Sequence, residues 1–394
     1  MTALKVLLER DVTPDRLAHA WSSSESFALL PDRLPISRSA IDAALRLIPP
    51  EWHRDHYVLL TSGSTGHPKF VLGSKDRTLA LADVLHDVQV LQDVREAVVA
   101  LPLMYSYAFV NQFIWSLRFG RGLRLTPGLA DPTTLVGALS KARDAMLCLT
   151  GAQVPMLLRA AADMNFPGIT RLNFAGGRFP QELLLTLSER FPHAAIFNNY
   201  GCAEALPRLS CRPAEAASES SDIGWPLPGV ELRSARDTSL EFRSPFGAVG
   251  LIEAGTFRLV EPTDWLPTGD LGVPGEEGRW RLLGRRGEVF KRYGEKVSLA
   301  ALLASVHQAW PGEAAFHFEN DRSGEIAHVL TIAPIPTREE ARAILGALRL
   351  GYPRAAWPVR IVGSAALPRL PNGKVDLAAL PNLVDGVEVW KQHL

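Results

Sequence analysis

Apolar and polar positions change their period several times along the chain, and each change marks an expected element. LKVLLERDV and AIDAALRLI carry apolar residues at helical spacing, and Pro49-Pro50 closes that region. YVLL reads as a buried strand that enters a Gly/Ser/Thr-rich turn and leaves it as a second strand, VLGSK. Between 76 and 206, helical runs such as RTLALADVLHDVQVL and QELLLTLSERF alternate with short apolar runs such as AVVALPL, LCLTG and AAIFNNYG. That alternation predicts an α/β sheet covered by helices. From 222 to 283 the runs shorten to VELRS, LEFRS, GLIEAG, FRLVEP and RWRLLG, which predicts a β-rich subdomain packed beside the sheet. GRRGE at 284–288 is a charged break bracketed by glycines, and strands and helices alternate again beyond it. The expected fold class is α/β: a large N-terminal domain over 1–284 with its β-rich subdomain, and a small C-terminal α+β domain over 285–394.

Charge and cysteine usage narrow the function. Lys and Arg number 42 and Asp and Glu 42, so no net charge draws the chain to nucleic acid or anionic lipid, and neither partner is expected. The longest apolar stretch, AVVALPLMYSYAFVNQFIW, is interrupted by Pro102, Asn111 and Gln112 and is a poor membrane span. Cys148, Cys202 and Cys211 show no CxxC spacing, which argues against zinc and against a disulfide framework. With no basic segment and apolar run at the N-terminus, a cytoplasmic location is expected.

The strongest local signal is TSGSTGHPK, Thr61 to Lys69. Glycines at 63 and 66 permit tight turns with inward N–H groups, the hydroxyls of Thr61, Ser62, Ser64 and Thr65 can donate to phosphate oxygens, and Lys69 adds positive charge. It is not the GxxxxGK[ST] loop, because Lys69 follows a proline and no Ser or Thr follows it. That absence, and the lack of a kinase catalytic loop, disfavour a P-loop ATPase or kinase.

Six segments in order, TSGSTGHPK, AGGRFP, NNYGCAE, PTGDLG, GRRGEVFKRYGEKVS and LPRLPNGKVDL, resemble the motifs of the adenylate-forming superfamily of acyl- and aryl-CoA ligases, peptide-synthetase adenylation domains and luciferases. The resemblance runs from about Tyr57 to the end. It implies ATP and magnesium as cofactors, a small carboxylic acid as substrate, and coenzyme A or an acyl carrier protein as thiol acceptor. Residues 61–69 would close over the ATP β- and γ-phosphates, with Gly176 and Gly177 letting the backbone approach the nucleotide. Asn198 would bond the adenine, Tyr200 would stack on it, and Gly201 lies in the same segment. Asp270 and Arg285 would hold the ribose hydroxyls. Glu204 would ligate magnesium. Lys374 would bridge the acid and the α-phosphate from a mobile C-terminal domain.

Several positions depart from the family. Only 60 residues precede Thr61, which implies a reduced first subdomain and slightly favours a carrier protein over free coenzyme A as acceptor. Ala203 replaces the usual threonine before the acidic ligand, and Gly287 stands where relatives place a hinge aspartate or lysine. These departures leave a catalytically impaired nucleotide- or adenylate-binding module as the alternative. Tyr105 sits where acyl- and aryl-CoA ligases have histidine, and the aspartate that pairs with an α-amino group is absent. An aryl or short acyl acid is therefore expected, with Tyr105, Tyr107, Asn111 and Cys202 lining its pocket.

Overall fold

The computed structural model describes residues 4–32, 37–61, 69–219, 221–287, 289–292, 295–320, 326–370 and 375–392. Two large sheets dominate it. The first has six strands, in the order Lys5–Leu8, Phe27–Leu30, His56–Thr61, Lys69–Ser74, Gly250–Glu253 and Thr256–Leu259. The second has eleven and runs from Glu231–Ser234 at one edge to Gly122–Leu125 at the other. Its half built from 96–200 is parallel, as the alternating helix and strand pattern predicts. The β-rich stretch at 222–283 is shared between the two: its hairpin at 250–259 completes the six-stranded sheet, and its remaining strands extend the long one.

Period-two burial explains how the layers stack. In the strand Ala145–Leu149, Met146 and Cys148 point into the core between the large sheets, whereas Ala145, Leu147 and Leu149 point to a second core beneath helices Pro132–Lys141 and Val154–Ala161. In the strand His56–Thr61, Tyr57 and Leu59 face the first core, and Val58 and Leu60 face a separate cluster with Ile41 and Leu45. From Val297 onward the chain gathers its own apolar core, in which Leu302, Val306, Ile344 and Leu348 from two helices cover Phe316, Leu330 and Ile361 of a four-stranded sheet.

One local expectation fails. LKVLLERDV is not helical: Lys5–Leu8 is a strand, followed by one 3₁₀ turn at Glu9–Asp11. Parallel pairing of Lys5–Leu8 with Phe27–Leu30 provides backbone partners that the local spacing does not reveal. No helix among the described residues is long and apolar enough to cross a membrane.

Candidate functional site

The site grows from one hairpin. Ala195–Tyr200 turns back through residues 201–209 to pair with Ser210–Pro213, with Leu209 N donating to Tyr200 O at 2.9 Å. The turn is tight because position 201 is glycine: a Cβ there would overlap the Pro207 carbonyl and reach Arg208 Cα. Within it, Ala203–Ala205 forms a single 3₁₀ turn that presents Glu204, whose own carbonyl accepts from Ala248 N at 2.9 Å.

Glu204 meets the phosphate-loop candidate. Thr61 and Lys69 end two antiparallel strands as a cross-strand pair, so they mark the base of the loop between them. Ser62, Gly63, Ser64, Thr65 and Gly66 lie outside the described residues. Lys69 Nζ stands 3.2 Å from Glu204 Oε1 and 3.3 Å from Glu253 Oε2. Burial disfavours the ammonium, but Glu204 and then Glu253 outweigh it, and the Lys69 pKa is raised. Beside them Cys202 stays a thiol, because burial and then the Glu204 carboxylate push its pKa well up.

At the same end of the strand, Tyr200 donates its hydroxyl to Asp270 Oδ2 at 2.7 Å, and Arg285 Nε donates to Asp270 Oδ1 at 3.2 Å. Asp270 and Arg285 are register partners in neighbouring strands, which fixes this pair from the backbone. Asp270 is largely covered and Arg285 is half exposed, so the carboxylate is a prepared acceptor with one movable partner. Asn198 is buried and donates to the Asp222 carbonyl at 2.9 Å. Gly176 adopts φ +76°, and a Cβ on Gly177 would meet nothing. Lys374 lies outside the described residues, but Arg369 and Val375 pair across the loop that carries it.

The acid-side candidates assemble on a helix that includes a π-helical stretch, Phe109–Ile114. Asn111 Nδ2 donates to Tyr107 O at 2.7 Å, and Tyr105, Tyr107 and Cys202 are partly exposed at the edge of the core between the large sheets. Burial raises Tyr105 to about 12 and Tyr107 well above its usual value. The pattern along the sequence missed Arg208, which reaches Asn111 Oδ1 from the hairpin turn at 2.6 Å. LPRLSCRP gives no local sign of it, since an arginine beside a proline usually reads as a solvated turn residue.

The AMP-binding enzyme family model matches residues 3–252. The chain belongs to that family. This AMP-binding enzyme is 26% identical over 360 residues to a subunit of the plipastatin synthase of Bacillus subtilis, a match covering 82% of this chain and 14% of that one. It is 25% identical over 380 residues to the D-alanine–D-alanyl carrier protein ligase of Streptococcus pyogenes, covering 84% of this chain and 71% of the ligase. Among solved structures, the anthranilate CoA ligase AuaEII in complex with anthranoyl-AMP superposes with TM-score 0.75 at 17% identity, over 96% of this chain and 82% of that one. The o-succinylbenzoate CoA synthetase of Bacillus subtilis in complex with AMP gives 0.69 at 18%, over 98% and 84%. The AMP-binding enzyme therefore has the adenylate-forming fold.

Proposed function

We propose that this enzyme uses ATP to convert a carboxylic acid to an acyl adenylate with release of pyrophosphate, then passes the acyl group to a phosphopantetheine thiol on a carrier protein or coenzyme A. One observation carries the reading: a single hairpin sets Tyr200 against Asp270 and Glu204 against Lys69. An aromatic ring beside a carboxylate that accepts hydroxyls, and a cation at the base of a glycine- and hydroxyl-rich loop, are groups that suit a nucleoside triphosphate. Asp270 then accepts the ribose hydroxyls and Arg285 orients it. Lys69 offsets phosphate charge.

Glu204 is the residue to hold magnesium. Among the described residues no group of three or more His, Cys, Asp or Glu side chains could hold a metal by itself. A single carboxylate near a phosphate loop fits magnesium, which keeps water and phosphate oxygens as its other ligands. When bound, the cation neutralises charge developing on the phosphates. The acid is one without an α-amine, because Tyr105, Tyr107, Asn111 and the Arg208 cation provide no anion for an ammonium. This departs from the amino acid named for the streptococcal ligase. A carrier-protein acceptor is favoured by the likeness to the streptococcal carrier protein ligase, and the free thiols Cys148, Cys202 and Cys211 suit a cytoplasmic enzyme.

Pyrophosphate release across a panel of acids, with mass spectrometry of the thiol product, tests the reading. Acids lacking an α-amine should outcompete every proteinogenic amino acid, and the absence of pyrophosphate release with every acid would leave a nucleotide-binding module. Asp270→Ala should weaken ATP binding by at least about tenfold, or ~1.4 kcal/mol, since a preorganised acceptor is lost. Unchanged affinity in calorimetry would move the ribose site elsewhere.

A further inference from the structure

Arginine keeps its charge at any pH a folded protein meets, so a buried guanidinium needs an anion or a full set of acceptors. Two arginines near the hairpin turn, Arg208 and Arg212, are each 1% exposed. Arg212 is neutralised within the chain: the Asp222 carboxylate lies 3.5 Å from its Nε, and the carbonyls of Asp222, Pro213 and Glu219 accept its protons. Arg208 is treated differently. Its one hydrogen bond goes from Nη2 to Asn111, while Nε and Nη1 are buried without a partner. Among the described residues no carboxylate stands within ion-pair distance of it.

What surrounds Arg208 is neutral. The Tyr107 ring centroid lies 5.1 Å from its guanidinium carbon, and the neutral Tyr107 hydroxyl sits beside both the guanidinium and the Cys148 thiol. Cys148 and Cys211 are the other titratable neighbours, and burial keeps both as thiols. Asn111 is itself held by the Tyr107 carbonyl, so the guanidinium is aimed by a braced partner. Tyr107, with Tyr105, Cys202 and Ala203, is partly exposed, so the charge lies one ring beneath an accessible edge of the core.

We propose that Arg208 receives an anionic group at the far end of the acid, so that the substrate is a dicarboxylic acid, aliphatic or aryl, of which the other carboxylate is adenylated. The inference rests on the adenylation reading and narrows its substrate class. The carboxylate that reacts must approach the phosphates on the Lys69 and Glu204 side, whereas the contacts of Arg208 are Asn111, Tyr107 and the two thiols. Adenylation also removes the charge of the reacting carboxylate. A cation that holds acid and acyl adenylate alike must therefore bind a second anion.

Matched acids test this: succinate against butyrate, and the three benzenedicarboxylates against the corresponding methylbenzoates, in calorimetry and in pyrophosphate release. At least one diacid should bind at least about tenfold more tightly than its methyl partner. Arg208→Met should lose that preference, with ATP affinity within about threefold of wild type. Should Arg208→Met fail to fold, the wild-type comparison decides alone. Equal or weaker binding of every diacid, or a diacid preference that survives in folded Arg208→Met, overturns the proposal. Selective diacid binding with no pyrophosphate from any acid would uphold the anion site and sink the adenylation reading instead.

Discussion

Changing Glu204 to glutamine is expected to cut acid-dependent pyrophosphate release at least about a hundredfold, or ~2.7 kcal/mol of barrier, with the fold intact. Glutamine keeps the shape of the side chain and an acceptor for Lys69, so the turn at Ala203–Ala205 should persist. Lys69 also retains Glu253, and losing one member of a partly exposed pair costs about 1 kcal/mol or less. What disappears is the negative charge that would hold magnesium against the phosphates. Glu253→Gln is the control. Glu253 touches the same ammonium but is 43% exposed, against 16% for Glu204, and its loss should change turnover less than about threefold. Equal losses in the two variants would mean that the Lys69 ion pair, rather than a magnesium ligand, is what matters.

Lys374→Ala should separate the two half-reactions. Attack of a carboxylate on the α-phosphate brings negative groups together, so an ammonium touching both stabilises the transition state more than the reactants. Acyl-adenylate formation should fall by at least about a hundredfold. Thiol transfer from supplied acyl adenylate should stay within about tenfold of wild type, because the proposed swing of 285–394 withdraws the lysine for that step. Arg369, five residues before Lys374, pairs with Glu313 of the C-terminal sheet at 2.9 Å and also donates to the Ala152 carbonyl at 3.5 Å. Rapid-quench measurement of each half-reaction checks the split. Parallel loss of both would make Lys374 structural.

Much of the architecture was legible because alternating periods report burial directly: Tyr57 and Leu59 against Val58 and Leu60 is a strand between two cores, and YVLL says so. LKVLLERDV misled because three or four apolar residues fit either period, and a partner strand some twenty residues on decides between them. The same limit governs the site. Glycine and hydroxyl clusters around Thr61 and the acid in NNYGCAE could be found as segments, yet that Lys69 meets Glu204 across 135 positions comes only from folding. Arg208 was invisible for a stronger reason. Arg208 and Arg212 read alike in LPRLSCRP, and what tells them apart is Asp222 beside one and, among the described residues, no carboxylate paired with the other.

Gly201 makes the hairpin turn more than a convenient bend. Backbone packed directly on backbone at Pro207 and Arg208 leaves no side chain to yield between them, so Glu204 and Arg208 are stations on one rigid gauge. On the proposed reading, an acid whose reacting carboxylate meets the nucleotide held at Glu204 and whose far anion meets Arg208 is measured against that span. One methylene too many or too few would then detach an end of the molecule, so the proposed diacid site should rank homologous diacids by length.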